Sequence, residues 1–155
     1  MKSRRCQLPE GRYLEHRASA TVRFQEVDSL GIVWHGHYLG YFEDARVAFG
    51  RQYGIDYPDL LQAGISAPIV HVSCDFLSPA CYGEQLEVVA RLFERDIAKL
   101  EFYYEISRPA DTTVLAIGQT IQAFVDLQGC LILVLPEFMR RFYHRWENSM
   151  VENHG

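Results

Sequence analysis

One long amphipathic segment governs what this chain can fold into. Tyr38, Phe42, Ala45, Phe49 and Tyr53 recur at spacings of three or four, so a helix over residues 36–53 puts all five on one face. Gly54 follows where a helix ends in a left-handed residue. Glu43 and Arg46 fall three apart on the other side and pair in solvent. Around this helix almost everything alternates with a period of two. Residues 18–25 read as a first strand, and residues 58–64 as a short second helix or turn. Residues 69–77 form the next strand, ended by Ser78-Pro79. Leu86, Val88, Ala90 and Leu92 alternate through another, and Leu100, Phe102, Tyr104 and Ile106 through a third. Residues 113–126 make a long strand, Gln128-Gly129 a turn, and residues 130–135 a short strand. Pro136 opens a terminal helix with Phe138, Phe142 and Trp146 along one side.

One strand, one long helix and about five hairpin-linked strands imply an antiparallel sheet with that helix covering one face. The fold class is α+β. At 155 residues one domain is expected. It spans residues 18–147, after an irregular segment, 1–17, and before a tail, 148–155. The sheet's other face and its edges also need cover, which a second copy can supply, so a homo-oligomer is expected.

The formal charge of −5 speaks against a nucleic-acid-binding module, which carries a basic face. Lys2, Arg4 and Arg5 are followed by no apolar run, so no signal peptide is read and the chain is expected to be cytoplasmic. No apolar run is long enough to span a bilayer. Cys6, Cys74, Cys81 and Cys130 make no C-x-x-C pair. Reduced thiols are expected, with no metal and no cofactor.

The chemistry concentrates in Asp28-Ser-Leu-Gly-Ile-Val-Trp-His35-Gly-His-Tyr38. A carboxylate, a glycine turn and a histidine arrive just before the long helix. Together they supply a base, a polarising group and free backbone N–H donors, the parts needed to attack a carbonyl and hold the resulting oxyanion. Asp28 has a plainer reading as a turn or cap residue, and His35 as a structural one. His37 and His71 read as structural. No G-x-S-x-G or cysteine elbow suggests a serine or cysteine hydrolase.

Val22-Arg-Phe-x-x-x-Asp28-x-x-Gly31-Ile-Val-Trp-His35-x-x-Tyr38-x-x-Tyr41-Phe-Glu43-x-Ala45-Arg46 resembles the opening of the 4-hydroxybenzoyl-CoA thioesterase family of hotdog-fold acyl-CoA hydrolases. Phe76-Leu-Ser-Pro79-Ala-x-Tyr-Gly83-Glu84 is similar to that family's second recurring segment. The likeness covers residues 18–140. It implies a hotdog fold, a sheet wrapped around one long helix, in homodimers or homotetramers with active sites at subunit interfaces. It implies an acyl-CoA substrate, Asp28 as the catalytic carboxylate, acting as base or nucleophile, and His35 beside it. It further implies that a backbone N–H near His35 or Gly36 meets the thioester carbonyl.

Trp34, Tyr38 and Phe76 are candidates for the acyl pocket, with core packing as the rival reading. Lys99, read in a turn, is the first candidate for the coenzyme A phosphates, with Arg91, Arg95 and Arg108 behind it. Glu43 is the rival carboxylate, discounted because Arg46 pairs with it. Residues 131–135 are wholly apolar where relatives carry a basic residue, which leaves an acyl-carrier-protein substrate open. A non-catalytic acyl-thioester-binding domain is the remaining alternative. Dehydratase relatives carry His and acid signatures not found here.

Overall fold

The computed structural model describes residues 7–152, with side chains as far as residue 146. Its elements run β1 (Tyr13–Thr21), a 3-10 turn (Phe24–Glu26), α1 (His37–Tyr53), α2 (Tyr57–Gln62), β2 (Ile65–Ser66), β3 (Ile69–Phe76), β4 (Gln85–Phe93), β5 (Lys99–Arg108), β6 (Thr113–Asp126), β7 (Leu131–Ile132) and α3 (Glu137–Glu152). Every pairing is antiparallel. β1 pairs with β4, β4 with β5, β5 with β6, and β6 with β3. The short β2 and β7 pair with the end of β6. The sheet wraps α1, which is the hotdog arrangement.

α1 is the core. Gly36 caps its start, and it ends at Gly54 with φ 78°. Tyr38, Tyr41, Phe42, Ala45 and Phe49 are all buried along it, and burying such a side chain contributes roughly 1.5–3 kcal/mol. They meet the inward rows of the sheet: Leu86, Val88, Ala90 and Leu92 of β4, and Leu100, Phe102, Tyr104 and Ile106 of β5. Gly118 on β6 lies under Phe42, where a Cβ would come within 2.3 Å of the ring. Phe42 in turn stacks on Tyr104 with centroids 4.5 Å apart. α3 adds Met139, Phe142, Tyr143 and Trp146 to the same core.

Three expectations need correction. The first strand starts at Tyr13, so residues 13–17 are not irregular. The terminal helix runs to Glu152, through the boundary expected at 147. The sheet's outer face is also partly roofed within the chain. There Val89, Phe93 and Tyr103 are buried, with Tyr13 against Phe93 and Arg91 and Arg95 laid over those two rings. Arginine stems cover apolar surface while the charged heads stay wet. Cys74, Cys81 and Cys130 form no disulfide among the described residues, and Cys6 lies outside them.

Candidate active site

The Asp28 loop is built by its own backbone. Val27 and Val33 form an antiparallel bridge, the Asp28 amide donates to the Ile32 carbonyl at 2.8 Å, and the Gly31 amide donates to the Asp28 carbonyl at 3.0 Å. Gly31 turns the chain with φ 76°, a conformation open to glycine without strain. The Leu30 amide donates to Asp28 Oδ1 at 2.8 Å. One carboxylate oxygen therefore does the turn work expected of a loop aspartate, and the plain and the chemical readings of Asp28 are compatible.

The second recurring segment braces this loop. The Val33 amide donates to the Ala80 carbonyl at 2.9 Å, and Ile32 bridges Cys81. Glu84 ties the brace down, accepting from the Cys81 amide at 3.0 Å and from Arg108 at 3.2 Å. Arg108 also reaches the Pro79 carbonyl. On the other side, the Trp34 amide donates to the Glu26 carbonyl at 2.9 Å, and Tyr41 donates its hydroxyl to Glu26 Oε1 at 3.1 Å.

These braces shape a cleft of about 470 Å³ lined by Asp28, Leu30, His35, Tyr38, Phe76 and Pro79, among others. Phe76 stands edge-on to both Tyr38, at 5.1 Å, and His35, at 6.5 Å. Trp34 lies outside the cleft, packed on His35 at 4.7 Å and His37 at 5.5 Å, and over Gly36, where a Cβ would come within 2.1 Å of its ring. The first turn of α1 uses the His37 and Tyr38 amides, which donate to Trp34 and His35 carbonyls. Among the described residues, the His35 and Gly36 amides donate to nothing. The start of α1, beside the cleft, thus leaves two backbone N–H groups without an acceptor at the positive end of a helix dipole. Burial raises the Tyr38 phenol's pKa, partly offset by a hydrogen bond from the Ala80 backbone. No hydrogen bond joins Asp28 to His35 among the described residues.

Of the residues singled out in the sequence, Asp28, His35, Tyr38 and Phe76 come together, with Gly36 and Trp34 alongside. Lys99 does not join them. It is the first residue of β5, paired with Ala123, at the opposite end of β5 and β6 from the Phe76–Ala116 pair. The other cations are engaged: Arg91 with Glu15 at 2.9 Å, Arg95 with Glu101 at 3.2 Å, and Arg108 with Glu84. Glu43 pairs with Arg46 at 3.8 Å as expected, with Glu43 exposed and Arg46 only 16% exposed. Leu30 and Pro79 escaped the sequence reading, because a loop side chain's direction leaves no periodic signal. Among the described residues no three His, Cys, Asp or Glu side chains group closely enough to hold a metal ion. No helix among them is long and apolar enough to cross a membrane.

The fold has solved counterparts. A 1,4-dihydroxy-2-naphthoyl-CoA thioesterase from Synechocystis superposes with a TM-score of 0.74 at 22% identity, covering 83% of this chain and 94% of its own. In sequence, the chain is 34% identical over 128 residues to a 1,4-dihydroxy-2-naphthoyl-CoA hydrolase of Synechococcus, 79% of this chain and 85% of that protein. It is 33% identical over 89 residues to the Bacillus subtilis protein named "Putative acyl-CoA thioesterase YneP", 57% of this chain. That match spans 64% of the Bacillus protein's length, under two thirds. The model of the Thioesterase-like superfamily matches residues 22–142, from the end of the first strand into α3. With the Asp28 loop, its brace and the helix start all inside that span, the chain belongs to the Thioesterase-like superfamily.

Proposed function

We propose that this protein hydrolyses an acyl-CoA thioester to the free acid and coenzyme A, in the manner of the 4-hydroxybenzoyl-CoA thioesterases. The observation that carries the reading is that Asp28 and His35 line one aromatic-walled cleft at the start of α1, where the His35 and Gly36 amides have no acceptor among the described residues. Asp28 takes a proton from water as its oxygen attacks the thioester carbon, or attacks directly to give a mixed anhydride that water then opens. The charge that develops on the carbonyl oxygen falls to the His35 or Gly36 amide, a donor whose loss typically costs ~3 kcal/mol of transition-state stabilisation. The carbon–sulfur bond then breaks and the thiolate leaves. His35 orients the water or polarises the carbonyl. The names of the relatives, two of them thioester hydrolases, support the reaction class.

The working unit in this reading is a homodimer or homotetramer. Among the described residues β3 pairs only with β6 and exposes Ile69, Val70, Val72 and Phe76, and its other edge is one that a second copy's strand can complete.

A second reading replaces coenzyme A with an acyl carrier protein. It is favoured by the ion pairs that occupy Arg91, Arg95 and Arg108, three of the four cations named for the nucleotide phosphates, and by the distance of the fourth, Lys99, from the cleft along β5.

The test is thiol release from short, medium, long and aromatic acyl-CoAs. Asp28→Asn should lower kcat by at least about a hundredfold with acyl-CoA binding retained, and His35→Ala should lower it partially. Wild-type turnover by Asp28→Asn would remove Asp28 from the mechanism. Turnover only with acyl carrier protein thioesters would select the second reading.

A further inference from the structure

We propose that Phe24, Tyr82 and Arg23 hold the nucleotide end of coenzyme A just outside the cleft, the two rings taking the adenine and the guanidinium a phosphate. The inference rests on the hydrolase reading above and locates the part of its substrate that the cleft does not enclose.

Phe24 and Tyr82 are 76% and 63% exposed, yet they stand together, with ring centroids 5.7 Å apart and planes at 87°. Two such rings in solvent make a corner, with one face to stack on and one to receive an edge. An acyl chain laid there would stay wet. A nucleotide suits the corner, because every base offers a π-face to an aromatic ring and its sugar and phosphates stay in water. Arg23 adjoins Phe24 in the chain and is exposed. Its amide donates to Glu26 Oε1 at 2.8 Å, an oxygen that also accepts from the Tyr41 hydroxyl. Among the described residues the Arg23 guanidinium makes no hydrogen bond or ion pair. Arg91, Arg95 and Arg108 are each held by a carboxylate. Arg23, unlike them, is open to a phosphate, which a guanidinium grips with two parallel N–H donors.

Backbone pairing ties this corner to the cleft. Val27 bridges Val33, Ile32 bridges Cys81, and the Asp28 amide donates to the Ile32 carbonyl, so three short stretches lie side by side. Stretches paired in this way are about 4.8 Å apart, which puts the Cys81 backbone about 10 Å from that of Asp28. Tyr82 is the next residue. The Gly83 amide donates to the Val22 carbonyl at 3.0 Å, holding the Tyr82 turn beside the stretch that leads to Phe24.

The length of the arm decides which cations it can meet. From sulfur to first phosphorus coenzyme A runs through about thirteen bonds, about 16 Å when extended at about 3.6 Å per three bonds. A thioester at Asp28 therefore brings its phosphates to this corner with slack in the arm. Lys99 of the same chain is out of reach. It pairs with Ala123, seven residues along β6 from the Ala116 that faces Phe76, about 23 Å at about 3.3 Å per residue.

The experiment titrates coenzyme A and pantetheine calorimetrically into wild type, Phe24→Ser, Tyr82→Ser, Tyr82→Phe and Arg23→Gln. Wild type should bind coenzyme A about tenfold more tightly than pantetheine. Each Ser or Gln substitution should bring that ratio toward one, and Tyr82→Phe should keep it. The ratio of kcat/KM for benzoyl-CoA over benzoyl-pantetheine should fall in parallel. A wild-type ratio near one, or a ratio that survives all three substitutions, overturns the assignment. So does a change of mass in light scattering for Tyr82→Ser, which would give the rings to a contact between copies. A coenzyme A preference that falls in the variants, with no thioester turned over, would sink the hydrolase and leave the corner in place. Turnover with no preference for coenzyme A over pantetheine would do the reverse.

Discussion

Trp34 and Gly36 set the position of the helix start. The Trp34 ring lies where a Gly36 side chain would go, and that ring also packs on His35. Because the ring is 48% exposed, it can swing away from an intruding methyl. Gly36→Ala should therefore leave the denaturation midpoint close to wild type while lowering kcat/KM by about tenfold, near 1.4 kcal/mol in the barrier. A parallel loss of stability would mean that the glycine serves folding rather than the site. That Asp28 and His35 lie together at a helix start capped by Gly36 was legible in the sequence because acid, turn and helix start are neighbours along the chain. The Glu43–Arg46 pair read from the sequence is present, but that Arg46 is only 16% exposed was not legible, because no local pattern reports a wall built from distant residues.

At the scale of elements, β6 is the spine, pairing β5 along its length and β3, β2 and β7 elsewhere. Its closest approach to α1 is at Gly118, where a Cβ would meet the Phe42 ring at 2.3 Å and the Ser73 carbonyl at 2.8 Å. Neither yields: Phe42 is fully buried against Tyr104, and Ser73 is backbone. Gly118→Ala should cost about 1–3 kcal/mol by overpacking, read as a lowered midpoint in urea; an unchanged midpoint would show that the helix can lift. The limits of β6 were readable because its alternation is unbroken and a Gly turn follows. The start of β1 was not. Its outward residues, Tyr13, Glu15 and Arg17, are partnered across the sheet by Phe93, Arg91 and Glu87, so charge sits where sequence patterning looks for a simple polar row. Lys99 was placed in a turn because a tight connection and a strand's first residue look alike in sequence.

For the molecule as a whole, burial raises the pKa of Tyr38, Tyr41, Tyr104 and Tyr143. Unfolded tyrosine ionises near pH ~10. Above that point the folded state holds more protons than the unfolded one, so stability falls as pH rises; below it, this contribution is fully present. The urea midpoint should be flat in these groups up to about pH 9.5 and drop by about pH 11, alongside phenolate absorbance. A midpoint unchanged through that range would show the phenols to be accessible. Assembly is tested at the free edge of β3: Val70→Lys should yield monomers by light scattering if that edge joins two copies, since a lysine there opposes strand pairing. An unchanged mass would move the interface elsewhere. The sequence carries the proposed oligomer only as unburied area, because an edge is defined by what a strand lacks.

Ile69 pairs with Gln122 and His71 with Ile121, so Val70 is an extra, bulged residue, and the bulge gives β3 two independent vocabularies. Without the extra residue, one alternation would run the whole strand, and every change on it would be answered on the seam with α1 two residues away. With it, Ile69 shares the face of Val72, beside Leu39 and Phe42 of α1, and Val70 points to whatever lies beyond the sheet. Relatives that insert or delete one residue here can exchange one set of neighbours and keep the other.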